Sequence, residues 1–265
     1  MLLHKYCASG NDFLITHQFT PQDRNALAKQ ICDRHYGFGA DGLVVLLPHS
    51  KHAYTWEFYN ADGSCASMCG NASRCVGLYA YQQGLAPSKH TFLSGAGVIS
   101  LEVLNLNPQG GVVQSNLGAP KRLESLQLEG QIWHLLDTGV PHLVHFVDHP
   151  NKIPTHKTSQ MQTLRARFDA NVNFAYIQDP RTIKLATYER GVEDITLACG
   201  TGMAAVFACA YYQHNHNPQA ILIPPSGEAL NWYLLDDELY FQGQVHFVGF
   251  ILEKSAFKGY RADLF

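Results

Sequence analysis

Met68-Cys-Gly-Asn-Ala-Ser-Arg-Cys75 and Ala198-Cys-Gly-Thr-Gly202 are the stretches that decide the fold of this chain. In each, a cysteine precedes a glycine and a run of small and apolar residues, which predicts a helix that begins at the cysteine. Cys69 and Cys199 lie 130 positions apart, about half the chain. A thiol at a helix N-terminus meets unpaired N–H groups and the positive dipole end, which favour thiolate and bind carboxylates. Two such helices predict a pair of thiols that face each other across one substrate.

The composition is typical of an ordinary soluble globular protein. Of 265 residues, 46% are hydrophobic and 15% charged, and the net charge of −3 argues against nucleic acid or an anionic membrane as the main partner. Uninterrupted apolar runs are far shorter than the roughly 18 residues of a membrane span. The N-terminus lacks the basic and apolar regions of a secretion signal, which predicts a cytoplasmic location.

The seven cysteines are read as reduced thiols, because an odd number in a cytoplasmic chain does not suit a disulfide framework. Cys65, Cys69 and Cys75 could be metal ligands. No C-x2-C pair exists, however, and helical spacing would scatter these thiols, so no metal is predicted. The remaining cysteines are expected to be structural or incidental: Cys7, Cys32, Cys65, Cys75 and Cys209.

The order of predicted elements in the first half recurs in the second half. Four pairs of similar positions are offset by 129 to 131 residues: Asn11 and His142, Gly42 and Asn173, Tyr59 and Tyr188, and Cys69 and Cys199. We therefore predict a duplication with a cleft between two similar lobes. The N-terminal lobe would comprise residues 1–114 and 251–265 and carry Cys69. The C-terminal lobe would comprise residues 115–250 and carry Cys199.

The two cysteine-led helices, 69–83 and 199–212, carry few charges, and the second is apolar on every side, which predicts that protein surrounds it. Further helices are predicted at 21–34 and 159–168. Short strands with period-2 or continuous apolar patterns fill the rest. The fold class expected is α/β (α+β), with two pseudo-symmetric lobes, each a curved, mainly antiparallel sheet wrapped around a central helix. Strands are predicted at 13–16, 42–48, 54–60, 98–104, 111–114, 143–147, 173–177, 183–189, 220–223, 232–235 and 245–252.

Opposed thiols at two helix N-termini suit a proton transfer without a cofactor. The N–H groups that follow each cysteine would cradle an α-carboxylate and stabilise the charge that forms when the α-carbon loses its proton. One thiolate would remove that proton and the other thiol would return one from the opposite face. The chain has no G-x-G-x-x-G after a strand, no Walker loop and no evident pyridoxal phosphate lysine site, so no cofactor is predicted.

The motifs along nearly the whole chain resemble those of the diaminopimelate epimerase family. They are Ser9-Gly-Asn-Asp-Phe13, Arg34-His-Tyr-Gly-Phe-Gly-Ala-Asp-Gly42, Tyr59-Asn-Ala-Asp-Gly-Ser64, Met68-Cys-Gly-Asn-Ala-Ser-Arg-Cys75, Pro141-His142, Asn171-Val-Asn-Phe174, Tyr188-Glu-Arg-Gly191 and Ala198-Cys-Gly-Thr-Gly202. The resemblance implies an isomerase that interconverts LL- and meso-diaminopimelate in lysine and peptidoglycan biosynthesis, independent of pyridoxal phosphate and metal. It also hints at a homodimer.

The resemblance assigns roles residue by residue. Cys69 and Cys199 match the catalytic base and acid, and His142 matches a supporting polar residue beside the thiols. The main chain of Gly70, Asn71, Gly200 and Thr201 matches the cradle for the reacting carboxylate. The residues that would grip the other amino-acid end of the substrate are Asn11, Asn60, Asn171, Glu189 and Arg190. An arginine with asparagines suits a carboxylate, and a glutamate suits an ammonium group.

Several alternatives stay open. Asn11 and Asn60 could be turn residues, Glu189 and Arg190 a surface ion pair, and His142 a structural histidine. The chain also departs from the family pattern at Val140, where many members have asparagine. A related two-cysteine racemase or epimerase for proline or hydroxyproline is the nearest rival function. A thiol-based redox or metal-sensing protein is the rival from another class.

Overall fold

A computed structural model describes residues 1–252, except for the side chain of Arg122. Residues 253–265, which belong to the predicted N-terminal lobe, lie outside the described residues. The helices are α1 (Asn25–Cys32), α2 (Gly70–Gln82), α3 (Ser159–Phe168) and α4 (Gly200–His214), with one 3-10 turn at Pro150–Lys152. The strands are β1 (Leu2–Ala8), β2 (Asn11–His17), β3 (Gly42–Leu47), β4 (Tyr54–Asn60), β5 (Lys89–Ser94), β6 (Gly97–Asn107), β7 (Gly110–Asn116), β8 (Lys121–Leu128), β9 (Gln131–Asp137), β10 (Pro141–Phe146), β11 (Asn171–Asp179), β12 (Thr182–Glu189), β13 (Asp194–Ile195), β14 (Gln219–Ile223), β15 (Leu230–Leu235) and β16 (Glu238–Leu252).

The strands join into one continuous mixed sheet. Its order is β1-β2-β3-β4-β5-β6-β7-β16-β15-β14-β12-β11-β10-β9-β8, with β13 on β12 and a further pairing of β1 with β16. That last pairing closes β1 to β7 and β16 into a ring. The predicted α/β class, dominated by a sheet, is confirmed.

The strand connections repeat between the two halves. In the first half, β2 runs parallel to β3, β3 antiparallel to β4, and β4 parallel to β5. In the second half, β10, β11, β12 and β14 pair in the same sequence of directions. The parallel pairs are crossed by α1 and α2 in the first half and by α3 and α4 in the second, because parallel neighbours need a long connection.

The two central helices are enclosed by the curved sheet. Every residue of α2 from Gly70 to Ala80 is buried, as is every residue of α4 from Gly202 to Ala210. Small side chains on all faces let the strands approach from every side, and burial of this apolar surface provides the main stabilisation. α2 packs in one core with residues of β1 to β7 and β16, and α4 packs in another with residues of β9 to β12 and β14 to β16. α1 and α3 cover the outer faces of the sheet.

β16 passes from one core to the other. It begins in a hairpin with β15, pairs with β7 on its other side, and ends beside β1 from His246 to Leu252. The chain that leaves β7 passes from the first half to the second, because the next strand, β8, pairs with β9. β7 and β16 run antiparallel with Val113 opposite Gly243, two positions 130 residues apart. Equivalent strands of the two halves therefore meet at this pair and exchange partners.

The helices match the sequence predictions most closely where a helix is fully buried. α3 has the predicted bounds, and α2 and α4 begin one residue after their cysteines. α1 is shorter than predicted at both ends: it begins after Arg24, whose side chain makes no capping hydrogen bond, and it ends before Asp33. The Asp23 carboxylate accepts a hydrogen bond from the Asn25 N–H (2.9 Å) at its start. Strands β1, β5, β8, β9 and β13 were not predicted.

The predicted boundary between residues 114 and 115 falls within β7, and the division into lobes there remains a prediction.

No helix in residues 1–252 combines the length and apolar character needed to cross a membrane.

Candidate active site

Cys69 and Cys199 are the N-cap residues of the two central helices. Both have extended backbone angles, with φ −150° and ψ 125° at Cys69 and φ −117° and ψ 110° at Cys199. Their carbonyls already accept the first intrahelical bonds, from Ser73 and Met203 (both 2.9 Å). The N–H groups of the residues that follow each cysteine have no carbonyl of their own helix to bind, because a first turn leaves its donors free.

The two helix ends meet. A β-carbon built on Gly200 would lie 3.4 Å from the Cα of Gly70, and the ring of Phe241 lies against Gly70. Two positive dipole ends therefore point into one space, and an anion placed there would be stabilised by both.

The site residues predicted from the sequence converge on one cavity, with a single exception. The cavity has a volume of about 1190 Å³, larger than that of most small-ligand pockets. The predicted residues in its wall are Asn11, Asn60, Cys69, Gly70, Asn71, Asn171, Glu189, Arg190, Cys199, Gly200 and Thr201. His142 is absent from the wall.

Burial raises the pKa of both thiols. The pKa of Cys69 rises to about 11 because burial penalises the thiolate, while the N–H groups of Ala72 and Asn71 and the charge of Arg74 act to lower it. The pKa of Cys199 rises for the same first reason, and its sulfur lies 3.5 Å from the Thr201 hydroxyl, which lowers it. The raised pKa favours the protonated thiol for both groups. A thiolate formed from either is a strong base.

Glu189 lines the cavity beside the thiols. Its negative charge raises the pKa of both Cys69 and Cys199, after burial. Burial also raises the pKa of the Glu189 carboxyl. This carboxylate therefore adds to the effect of burial in disfavouring the thiolates, and its negative charge suits an ammonium group.

The cavity wall also carries amides and a guanidinium. The Asn171 side-chain oxygen accepts a hydrogen bond from the Arg190 N–H (2.7 Å), which joins β11 to the end of β12. The Arg190 guanidinium pairs with Asp169 (3.0 Å) rather than with Glu189 and stays partly exposed. The Asn60 amide donates to the Ser64 hydroxyl (3.0 Å) in a turn. These side chains could meet a charged amino-acid end of a ligand.

His142 lies behind Asn171. It is fully buried, and its ring nitrogens face the amides of Asn173 (3.1 Å) and Asn171 (3.4 Å). Burial lowers its pKa to about 3, with a smaller contribution from the Arg190 charge. The ring is therefore neutral, and its place is behind the cavity wall rather than on it.

Two residues of the site were not assigned from the sequence. Thr138 lines the cavity and donates its hydroxyl proton to the Thr201 carbonyl (2.8 Å), which fixes the first turn of α4. Arg74 is fully buried below Asn71 and donates to its side-chain oxygen (2.7 Å). Only the Asp-Thr-Gly turn at 137–139 signals Thr138. Arg74 stands inside a quoted motif, but its burial has no local signal.

The other thiols do not gather. Cys75 is buried in α2, whereas Cys65 is exposed at the cavity wall. Among the described residues, no three side chains of His, Cys, Asp or Glu come together in a way that could hold a metal ion.

A family model described as Diaminopimelate epimerase matches residues 3–123 and 134–248. The chain is 47% identical over 272 residues to the diaminopimelate epimerase of Helicobacter pylori strain P12, covering 97% of this chain and 98% of the relative. It is 49% identical over 246 residues to that of a Nitratiruptor species, covering 92% and 95%. With that of Campylobacter jejuni strain RM1221 the identity is 44% over 248 residues, covering 93% and 96%.

Solved structures share the fold at low identity. A probable proline racemase from Agrobacterium radiobacter K84 aligns with a TM-score of 0.72 and 12% identity, over 95% of this chain and 92% of that chain. A hydroxyproline epimerase from Agrobacterium vitis gives 0.70 and 12%, over 95% and 91%. A predicted epimerase from Pseudomonas aeruginosa gives 0.73 and 11%, over 95% and 98%. At this identity the likeness concerns the fold alone.

Proposed function

Because the chain belongs to the diaminopimelate epimerase family, and is thus an isomerase, we propose that Cys69 and Cys199 perform its reaction as a two-base pair. The substrate is diaminopimelate, and the α-carbon is inverted between the LL and meso forms. The family name connects the reaction with lysine biosynthesis. A role in peptidoglycan synthesis, a cytoplasmic location and a homodimer are part of the same proposal.

One observation carries this proposal: two N-cap cysteines line one cavity where the first residues of their helices touch. A carboxylate in the cavity would accept hydrogen bonds from the free N–H groups of Gly70, Asn71, Gly200 and Thr201. The carbon that bears this carboxylate would then lie between the two sulfur atoms.

The reaction balances without a further reagent. One cysteine thiolate takes the α-proton and becomes a thiol, and the electron pair of the broken C–H bond moves into the carboxylate. The resulting dianionic carboxylate is stabilised by the four N–H groups, whose positions are fixed before the charge forms. The opposite thiol then gives its proton to the other face of the carbon. The two cysteines end with their protonation states exchanged.

The distal end of diaminopimelate supplies the contacts that select this substrate. Glu189 would hold the distal ammonium, and Arg190 with Asn60 and Asn171 would hold the distal carboxylate. Proline and hydroxyproline have no second amino-acid end, so these side chains would have no partner in the rival reaction. A buried polar group left unpaired by the wrong substrate disfavours that substrate strongly.

The test follows the α-proton under reducing conditions, so that a disulfide between the thiols cannot be mistaken for inactivity. LL- and meso-diaminopimelate are incubated in deuterated buffer with wild type, Cys69→Ala and Cys199→Ala, and both inversion and deuterium uptake are measured. Cys209→Ala, a buried change in α4 away from the cavity, is the matched control.

We expect inversion to vanish in both active-site variants and to persist in the control. Wild-type turnover in either Cys69→Ala or Cys199→Ala would exclude the two-base pair. Proline measured beside diaminopimelate separates the two reactions, because a wild type that inverts only proline would contradict the proposed substrate.

A further inference from the structure

Arg74 is the most unusual charged residue of the fold outside the cavity wall. Its side chain is fully buried in the second turn of α2, and its guanidinium lies 4.9 Å from the centre of the Phe241 ring. A β-carbon on Gly243 would overlap its Nη1 atom, so glycine is required beside it. Among the described residues only its Nη2 group makes hydrogen bonds, while Nε and Nη1 have no partner. A buried cation needs compensating contacts, and the face of the Phe241 ring and the negative charge of Glu228 supply part of them here.

The Nη2 group begins a chain of hydrogen bonds that ends at Asp41 in the cavity wall. It donates to the Asn71 side-chain oxygen (2.7 Å) and to the Ser9 hydroxyl (2.7 Å). The Asn71 amide donates to the Asn11 side-chain oxygen (2.6 Å). The Asn11 amide donates to the Asp41 carboxylate (3.0 Å).

The two ends of this chain fix the direction of every bond within it. A guanidinium only donates and an ionised carboxylate only accepts, whereas an asparagine amide can do either and can be turned around. Arg74 therefore requires the oxygen of Asn71, which turns its NH2 group toward Asn11. Asn11 must then offer its oxygen to Asn71 and its NH2 group to Asp41.

The fixed orientation of these amides matters for a bound ligand, because Asn11 and Asn71 both line the cavity. One lone pair and one N–H of the Asn11 amide are used inside the chain, so one of each is left for a ligand in a defined place. Such an amide can distinguish an ammonium from a carboxylate only while its orientation is fixed. The charge of Arg74 also lowers the pKa of the Cys69 thiol.

We propose that Arg74 is a positioning residue that orients the Asn71 amide and, together with Asp41, the Asn11 amide, and thereby sets the preference for substrates with a distal amino-acid end. This inference rests on the proposed function. Arg74 does not touch the substrate and acts through Asn71. Substitution of Arg74 should therefore weaken discrimination between substrates rather than proton transfer at the α-carbon.

The measurement is a ratio of two values of kcat/KM for α-proton exchange, one for diaminopimelate and one for 2-aminopimelate, which lacks the distal ammonium. Arg74→Gln replaces a pure donor with an amide that can face either way. Arg74→Lys keeps a pure donor. Ser9→Ala removes the other acceptor of Nη2 and leaves the amides in place.

We expect Arg74→Gln to lower this ratio about tenfold, the worth of one misdirected hydrogen bond. Arg74→Lys and Ser9→Ala should keep the ratio within about threefold of wild type, even where their stability differs. A general packing defect would lower both kcat/KM values alike and leave the ratio unchanged. An unchanged ratio in folded Arg74→Gln, or an equal loss in Arg74→Lys, overturns the assignment.

Asn71→Asp carries the same test if Arg74→Gln does not fold. The new carboxylate still accepts from Arg74 but cannot donate to Asn11, so the Asn11 amide is opposed by acceptors on both sides. We expect the same loss of about tenfold in the ratio, and a preserved ratio would refute the proposal. Absence of diaminopimelate inversion in the wild type would refute the proposed function itself, which keeps the two failures distinct.

Discussion

Gly70 and Gly200 face each other where α2 and α4 begin. A β-carbon on Gly200 would lie 3.4 Å from the Cα of Gly70, and one on Gly70 would lie 3.5 Å from the Cα of Gly200. Two positive helix ends at this distance repel each other unless an anion lies between them. In the proposed reaction the substrate carboxylate would be such an anion, so the contact would tie substrate binding to the stability of the fold.

Single alanines at these two glycines should be tolerated, and the pair should not. Each single β-carbon makes an ordinary contact, so Gly70→Ala and Gly200→Ala should change the free energy of unfolding by no more than about 1 kcal/mol. In the double variant the two methyl groups compete for the same space, and the loss should exceed the sum of the singles by roughly 1 kcal/mol or more. Urea unfolding measures all four proteins.

Gly202→Ala is the comparison within the same helix. Its β-carbon would lie 2.7 Å from the side-chain oxygens of Asn173 and Thr187. We expect a loss of roughly 1 to 3 kcal/mol from this single change. Additive energies in the Gly70 and Gly200 double variant would mean that the helix ends do not touch.

Glu189→Gln should lower the pKa of both cysteines. Burial is the larger cause of their raised pKa, and the Glu189 charge adds to it because a negative neighbour disfavours a thiolate. Removal of that charge favours the thiolate, so alkylation by iodoacetamide at a fixed pH should become faster. Peptide mass spectrometry follows Cys69 and Cys199 separately from pH 7 to pH 10.

Glu193→Gln is the charge-matched control, because this exposed carboxylate lies in the turn that follows β12, where its partners are Tyr188 and Arg165. An equal effect of both variants would assign the shift to net charge rather than to Glu189.

His142 should make the protein sensitive to mild acid. Its pKa is about 3 in the folded chain, chiefly because burial disfavours the imidazolium, against 6.5 without burial. Below pH 6.5 the unfolded chain therefore binds a proton that the folded chain excludes. The stabilising contribution is complete above pH 6.5 and decreases as the pH falls toward 3. The cost approaches about 1.4 kcal/mol per pH unit for this one group.

His142→Gln should reduce that slope by one proton. The urea midpoint is measured at pH 7, 6 and 5 for both proteins, and an equal urea dependence shows that the midpoint reports stability. Parallel pH profiles for variant and wild type would contradict a neutral, buried His142.

Arg190→Ala should raise KM for diaminopimelate by roughly 100-fold with a smaller change in kcat, because a charge-assisted pair to the distal carboxylate is lost. Arg190→Lys should recover only part of the loss, since a lysine cannot form the two parallel hydrogen bonds of a guanidinium. Initial rates at varied substrate give both constants.

Asp169→Asn separates contact from support. Asp169 holds the Arg190 guanidinium at 3.0 Å but lies outside the cavity wall. A rise in KM as large as that of Arg190→Ala would show that the ion pair, and not a substrate contact, explains the effect.

Local sequence was sufficient to predict the helix ends that frame the cavity. A cysteine before glycine and an all-apolar run predicted both central helices, and their common offset predicted that the thiols would meet. β3 was equally readable, because Leu43 and Val45 face one core and Val44 the other, which gives a continuous apolar run.

The remainder depends on partners distant in sequence. The β8–β9 hairpin has one local signal, a two-residue turn in which Glu129 and Gly130 both have positive φ (51° and 78°), and polar residues on either side obscured it. Burial of Arg74 follows from β16 passing over α2, and no pattern within α2 distinguishes this arginine from one at the surface. The passage of β16 between the cores likewise depends on its pairing with β1 and β7, which are distant in sequence.

That crossing bears on how a chain with two opposed thiols can arise. A half-length protein of this design would end in a strand that runs past its own sheet and leaves backbone donors and acceptors unpaired. Two copies would satisfy each other by trading those strands across a two-fold axis, as in a domain-swapped homodimer. The same exchange is seen within this one polypeptide. β8, which follows β7, pairs with β9 of the second half, and the end of β16 pairs with β1 of the first half. Gene fusion of such a dimer would free the two sides of a once symmetric cavity to diverge, so that Glu189 could take the proposed role toward one end of the substrate alone.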